Sequence, residues 1–362
     1  MIYKEYQPGA LWFILLPHAL PFVDAKTDYI TAFTVINAFI VLAYYSLIRI
    51  RKKDFSIMLS TLLLATGPIL LFRLELLVGL LVLIAWCFHK KNNPWLAGIF
   101  LGLAISTKLY PIVIWPIMAA QYLLFSRKRD SLSIFIATTL LGISITLVPF
   151  LATNHTFDDV RDSMAYYQYK PVGPDSIWGN IIILNWKFQY KEIPPIDSNY
   201  GIRGLDSMTT NAPLSFFNYF WILPTAIITI MLLWLRRHSG YTDPVLPLII
   251  LTVFVLSSKI INPQYLWWFV SFLPFIVFNK IDNKWHVLAI VTALIALALT
   301  QVIYPIYYAE VIAWQDHRSS SLFTLALSLL RNVSLIVFLA SIIMMTLKRT
   351  ERLRTEAPSN NK

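Results

Sequence analysis

The chain is a succession of apolar runs separated by short polar joints. Runs near 29–48, 55–72, 74–88, 94–107, 109–125, 131–151, 213–235, 244–256, 261–279, 285–303 and 322–347 have the length of helical spans or half-spans of a hydrocarbon layer ~30 Å thick. They predict an all-α, polytopic integral membrane protein with about eleven transmembrane helices, forming a single domain over 1–362. Segment 9–23 is apolar but short and carries Pro17, His18 and Pro21, so it predicts a re-entrant or interfacial helix rather than a crossing. One long hydrophilic stretch, 152–212, interrupts the pattern. Its Tyr166, Tyr167, Tyr169, Trp178, Trp186 and Tyr190 predict a structured lid at the membrane interface. No internal repeat is visible, and the chain closes on a short polar tail from Glu356.

Composition agrees with lipid as the main solvent: 57% of residues are hydrophobic and 14% charged, too little polar surface to cover a water-soluble fold. The net charge of +11 does not form one patch, and no nucleic-acid partner is expected. The basic residues cluster in the joints, where they report orientation. If the first run passes from outside to inside, Arg49, Arg51, Lys52 and Lys53 fall on the cytoplasmic side. So do Lys90 and Lys91, Arg127, Lys128 and Arg129, Arg236 and Arg237, Lys280 and Lys284, and the cytoplasmic tail 348–362. Glu5, Arg73, Glu75, Lys108, Lys259 and all of 152–212 are then extracytoplasmic, and acidic residues predominate there. The same threading leaves Met1 outside with no earlier span to carry it. The lone Cys87 can form no internal disulfide and is expected to be inert.

Charges flanked by apolar sequence are costly in a membrane and therefore point to function. Five places carry them. EYQPGA, Glu5 to Ala10, sets an acid and an aromatic ahead of a proline that can open a helix, and reads either as a solvated helix start or as a substrate contact. FRLELLVG puts Arg73 and Glu75 between two spans with almost no loop, as a bracing ion pair or as a site. In STKLYP, Lys108 divides two half-length runs and Tyr110-Pro111 opens the second. Such a break can aim backbone N–H groups and an ammonium at a phosphate; the competing reading is a snorkelling lysine. SSKIINPQYLWW brings Lys259, Gln264 and Tyr265 to Trp267 and Trp268, which read as interfacial anchors rather than sugar platforms. YYQYKPVGPDSIWG supplies Lys170, Asp175 and aromatic faces, a mix suited to a phosphate and a sugar.

Arg331 lies well inside the last apolar run and either lines a cavity or marks a later start of that span. Asp158, Asp159 and Asp162 read as a solvated face. The six histidines show no paired ligand spacing, and neither a glycine-rich phosphate loop nor a nucleophile elbow appears.

FRLELLVGLLVLIAW followed by WLAGIFLGLAISTKLYPIVIWPI resembles the paired helices of the bacterial polyprenol-phosphate-sugar-dependent glycosyltransferases of fold type GT-C, especially the mannosyltransferase branch. EYQPGALWFILLP resembles their glutamate-tyrosine-proline-proline juxtamembrane helix. YYQYKPVGPDSIWG is similar to their tyrosine-rich loop with a basic residue and an acid-serine pair, and NPQYLWWFVSFLP to their late serine-proline-glutamine-tyrosine span. These segments occur in family order from near residue 3 to near residue 275. Gln7 stands where the family has a proline, Glu75 where it has an aspartate, and Lys170 where it has an arginine.

The resemblance implies a GT-C-like bundle in the plasma (bacterial inner) membrane, serving the cell envelope, with its active face outside and its C-terminus in the cytoplasm. Such an enzyme moves a sugar, mannose or another hexose, from a polyprenyl-phosphate-sugar donor to a lipid or glycan acceptor with inversion. The chemistry asks for a carboxylate base and a cationic cradle for the leaving phosphate. Lys108, Lys259, Lys170 and Arg73 are the expected cradle, with Tyr110, Asp175, Gln264 and Tyr265 as further substrate contacts. The family's first span and the outer loop with its catalytic aspartate lie ahead of the point where this sequence starts, so Glu5 or Glu75 takes the catalytic role. A one-phosphate donor requires no metal cofactor, although a divalent cation between carboxylates is compatible with it. Two other classes stay open. A membrane transporter or lipid flippase needs the same broken spans but should show repeat symmetry, and a non-catalytic GT-C-like scaffold would have lost its base.

Overall fold

The computed structural model describes residues 6–21, 23, 26–49, 53–126, 130–153, 155–191, 194, 196–197, 204–205, 214–236, 245–275, 283–307 and 320–355. Within them the fold is all-α and of membrane type. Five helices are long and apolar enough to cross a bilayer: Lys26–Leu47, Ser131–Ala152, Ser215–Leu235, Lys284–Tyr304 and Leu322–Lys348. The remaining apolar runs give shorter helices, of which Pro94–Thr107 and Val245–Ser257 are examples. Fourteen residues of helix reach only about 21 Å, short of the hydrocarbon thickness.

The chain divides into two compact units, residues 1–170 with 262–271, and residues 171–261 with 272–362. The first holds α1 (Pro8–Leu15), α2 (Lys26–Arg49), α3 (Lys53–Thr66), α4 (Glu75–Lys90), α5 (Pro94–Thr107), α6 (Trp115–Phe125), α7 (Ser131–Ala152) and α8 (Phe157–Tyr169). Its tightest contact is between α5 and α7, where small residues let two backbones meet. A Cβ added at Gly102 would stand 2.2 Å from the Thr139 carbonyl oxygen, and one at Gly142 would stand 2.3 Å from that of Ile99. Helix α1 abuts the last turn of α5, since a Cβ on Gly9 would stand 2.8 Å from backbone atoms of Ser106 and Thr107. Trp12 Nε1 ties α1 to α7 by donating to the Thr146 carbonyl at 3.0 Å.

Two breaks shape this unit. Helix α3 ends before Gly67, whose φ of 78° and ψ of −179° suit glycine, and Pro68 opens a single 3-10 turn, Pro68–Phe72, that leads to Arg73. Asn37 of α2 donates to the Leu71 carbonyl at 2.9 Å, satisfying a group that the break frees from helical pairing. The second break follows α5: Lys108 is extended, and a 3-10 turn over Tyr110–Ile114 with Pro111 at its start leads into α6. The half-length runs read around Lys108 are thus two separate helices.

The expected span 261–279 is not one helix over its described part, 261–275. It consists of a 3-10 turn Pro263–Leu266, the four-residue α13 (Trp267–Val270) and a second 3-10 turn Leu273–Phe275. Pro263 and Pro274 each remove a backbone donor and restart the chain, which a hydropathy pattern does not register. α13 packs on α4: Trp267 Nε1 donates to the Tyr44 hydroxyl at 3.2 Å, and that hydroxyl donates to the Leu76 carbonyl at 3.0 Å.

The second unit holds α9 (Ile177–Tyr190), a two-stranded antiparallel ladder of β1 (Ile196–Asp197) and β2 (Gly204–Leu205), α10 (Leu214–Tyr219), α11 (Ile222–Arg236), α12 (Val245–Ser257), α14 (Asn283–Gln301) and α15 (Ser320–Thr355). The described part of the hydrophilic stretch 152–212 is therefore mainly the two helices α8 and α9. Helix α15 does not stop at Lys348 but runs on to Thr355. Arg331 sits eleven residues inside it, so a late start of the helix does not account for that charge.

Candidate functional site

In the first unit a cavity of about 680 Å³ is lined by Tyr6, Ile14, Tyr29, Ile30, Phe33, Phe72, Arg73, Leu74, Glu75, Lys108 and Gln264. Four of the eleven, Arg73, Glu75, Lys108 and Gln264, are residues singled out from the sequence. Each arrives by a break in helix. The 3-10 turn ahead of Arg73 presents it at the exposed rim, where among the described residues it makes no ion pair. Glu75 is the first residue of α4, so the partial positive end of that helix faces its carboxylate. Lys108 caps α5 and donates from Nζ to Glu75 Oε1.

The Glu75–Lys108 pair is asymmetric. The Glu75 side chain is 1% exposed and that of Lys108 16%. Lys108 accordingly keeps a route to the cavity while its ammonium rests near two aromatic faces, 5.3 Å from the Tyr265 centroid and 5.4 Å from that of Trp268. Trp268 is itself sandwiched, with Tyr110 at 4.0 Å and 6° on one side and Tyr265 at 4.1 Å and 24° on the other. Its faces are filled and it is 4% exposed, so the ring is packed inside the protein rather than set in the membrane interface, with no open face for a sugar. The Tyr110 hydroxyl is buried and has no hydrogen-bond partner among the described residues. Ile14 of α1, Tyr29, Ile30 and Phe33 of α2, and Phe72 supply the apolar part of the lining. Sequence reading missed this part because an aromatic stripe on a membrane helix looks the same whether it faces lipid or a cavity. The signal available was Tyr29 and Phe33 at helical spacing beside the short helix 9–23.

Other candidates lie elsewhere. Lys170, at the end of α8, is buried with Nζ 4.4 Å from the Tyr166 ring centroid and 4.6 Å from that of Tyr167, and it does not line the cavity. Glu5 falls outside the described residues, although its neighbour Tyr6 lines the cavity. Asp159 closes a capping box with Thr156 at the start of α8, and Asp158 pairs with Arg161 on the exposed side.

In the second unit Lys259 Nζ donates to Asn218 Oδ1 at 2.6 Å. Asp175 is held by α15: Arg331 Nη1 donates to its Oδ2 at 3.0 Å, Arg331 Nη2 to its backbone carbonyl, and the Tyr304 hydroxyl also to Oδ2 at 3.0 Å. The arginine read from sequence as lining a cavity or marking a later start of its span is the buried partner of the loop carboxylate.

The model of glycosyltransferase family 87 matches residues 5–263, a stretch that contains Arg73, Glu75, Lys108, Lys170, Asp175 and Lys259. No curated protein matches the chain.

Proposed function

Because the chain belongs to glycosyltransferase family 87, we propose that this glycosyltransferase takes its sugar from a polyprenyl-phosphate donor at the cavity of Arg73, Glu75, Lys108 and Gln264. One observation carries the reading. A single cavity joins a buried acid–lysine pair to an apolar, aromatic wall, and a polyprenyl-phosphate sugar has those two halves. The isoprenoid chain lies along Ile14, Tyr29, Ile30, Phe33 and Phe72, and the phosphate meets Lys108 and Arg73.

In this mechanism Lys108 serves two partners in turn. Before the donor arrives, its ammonium neutralises Glu75. The donor phosphate draws it away, and the freed Glu75 carboxylate takes the proton of the acceptor hydroxyl. The acceptor oxygen attacks the anomeric carbon, the carbon–oxygen bond to phosphate breaks with inversion, and polyprenyl phosphate leaves with its growing charge held by Lys108 and Arg73. Gln264 offers its amide to sugar hydroxyls. Two chain cations suffice for one phosphate, so transfer is expected to survive EDTA. The orientation read from the basic joints places this chemistry on the extracytoplasmic face of a GT-C-like bundle, with mannose or another hexose as cargo and a lipid or glycan as acceptor.

The test is sugar transfer in membranes expressing the chain, with radiolabelled polyprenyl-phosphate-mannose and native lipid extract as the acceptor pool. Glu75→Gln and Lys108→Met are each expected to lose about 10²-fold or more in rate, the usual cost of a base or of a group stabilising developing charge. A correctly inserted wild type that transfers from no lipid-linked donor refutes the proposal.

A further inference from the structure

A second buried ion pair has no place in the mechanism above, and it joins two distant parts of the second unit. Arg331 is 0% exposed and the Asp175 side chain 5%. Their surroundings are densely hydrogen-bonded. Asn332 Oδ1 accepts from Arg331 Nε at 3.3 Å and from Nη2 at 3.1 Å, while Asn332 Nδ2 donates to the Asp175 carbonyl at 3.1 Å and to Asn180 Oδ1 at 2.7 Å. Asn180 Nδ2 in turn donates to the Pro174 carbonyl at 3.0 Å and to Ser328 Oγ at 2.7 Å. Stability alone does not account for such a network. Apolar side chains of similar size would hold two elements together as well or better, because each buried charge first loses its solvation. What the network adds is direction: a planar guanidinium and two amides accept one geometry of the loop and reject its neighbours.

The loop so fixed, Pro171–Ser176, continues the constraint to Lys259. Gly173 N donates to the Lys259 carbonyl at 2.9 Å, and Trp178 Nε1 donates to the Ser257 carbonyl at 3.1 Å, so the loop and the first turn of α9 satisfy carbonyls at and beyond the C-terminal end of α12. Ser176 caps α9, accepting from Gly179 N at 2.9 Å and donating to the Gly173 carbonyl at 2.7 Å. The turn leaves no slack, since a Cβ on Gly179 would stand 2.0 Å from the Gly173 carbonyl oxygen. Arg331, Asn332, Ser328 and Tyr304 all lie beyond the stretch that the family model matches, whereas Asp175, Asn180 and Lys259 lie within it.

We propose that Arg331 is a positioning residue for the transfer reaction: from α15, and through Asp175, it fixes the loop Pro171–Ser176 and with it the backbone at Lys259, five residues along the chain before the cavity residue Gln264. Asp175 then serves as the receiver of this constraint rather than as a contact to substrate. The inference rests on the transferase reading and adds to it a requirement for the C-terminal helix. Arg331 touches no reacting atom; its effect is on where the loop stands.

The experiment uses the full chain in nanodiscs with two readouts, hydrogen exchange of the peptide spanning 171–185 and sugar transfer. Arg331→Met strands the Asp175 carboxylate and is expected to speed exchange in that peptide at least tenfold and to cut transfer by 10-fold or more. Arg331→Lys keeps the charge without the planar fork and should recover part of both. The deciding variant is the double replacement Arg331→Met with Asp175→Leu, which leaves no unpaired charge and should insert and resist heat as the wild type does. If it folds stably but transfers 10-fold or more below wild type, the network positions. If it folds stably and transfers fully, the pair is merely structural and the proposal is overturned. Unchanged exchange in Arg331→Met also overturns it. A wild type that transfers from no lipid-linked donor sinks the transferase reading first, before any variant is compared, so the two failures are separable.

Discussion

Replacing Gly102 with alanine tests the helix contact on which the position of Lys108 depends. The new Cβ would stand 2.2 Å from the Thr139 carbonyl oxygen and 2.9 Å from the Gly142 Cα, both backbone atoms of α7 that cannot rotate aside. Carbon–oxygen contacts of this type settle at ~3.3 Å or more, so α5 and α7 must part by about 1 Å at their tightest crossing. Overpacking of that order costs about 1–3 kcal/mol, and the better helix propensity of alanine returns at most about 1 kcal/mol. The expected net loss is about 1–2 kcal/mol, read as a lower unfolding midpoint of the purified protein in detergent.

The same displacement should reach the chemistry, because α5 ends one residue before Lys108, which pairs with Glu75 and, in the proposed mechanism, meets the donor. A misplacement of about 1 Å can lower a rate by ~10²-fold, so transfer is expected to fall well beyond what the lost stability explains. Gly98→Ala is the milder comparison: its Cβ would meet the Thr138 hydroxyl at 2.0 Å, a side-chain atom that can move, but also the Phe135 carbonyl oxygen at 2.8 Å and Thr139 N at 2.9 Å, so it too should destabilise, by less than Gly102→Ala. An unchanged midpoint for Gly102→Ala, or greater damage from Gly98→Ala, refutes the packing argument.

Two further substitutions separate frame from site. Gly67→Ala forces a Cβ into a backbone conformation that L side chains rarely adopt and should destabilise by about 1–3 kcal/mol in a denaturant titration, shifting Arg73 with the turn that follows; a neutral result there would mean that the break does not need glycine. Trp268→Leu empties the space between Tyr110 and Tyr265 and should cost about 3 kcal/mol with transfer falling in step with folded protein. Normal stability with lost transfer would instead make that ring a substrate platform.

The breaks were legible in the sequence because proline, glycine and lone charges interrupt apolar runs, and interruptions are what a pattern displays. Lys108 between two half-length runs and Arg73-Glu75 in an almost loop-free joint were therefore found, and three of those side chains line one cavity. Partners were not legible. Asp175 reads as a substrate contact in its loop, yet its counter-ion is Arg331, 156 positions away in another apolar run. Arg331 followed by Asn332 inside that run was the available hint, since two adjacent polar residues there imply a buried partner, but nothing local says which. The continuous span expected over 261–279 failed because the run around Pro263 and Pro274 stays apolar, so hydropathy outweighed two prolines that were visible in the sequence and break the backbone.

The two buried ion pairs of this chain show why pairing alone does not identify a site. Both set a carboxylate against a cation at very low exposure, and both cost solvation. They differ in how many bonds hold them. Around Asp175 the bonds are many: Oδ2 accepts from Arg331 and Tyr304, the carbonyl accepts from Arg331 and Asn332, and the guanidinium also ends on Asn332. Glu75 accepts from Lys108 alone among the described residues, and Lys108 rests against aromatic faces that a harder anion can outbid. A pair held by several bonds at once resists exchange of partners and so holds a shape. A pair joined by one bond and bordering a cavity has a partner to exchange, and the proposed displacement needs that property if a phosphate is to be held and a carboxylate released within one turnover.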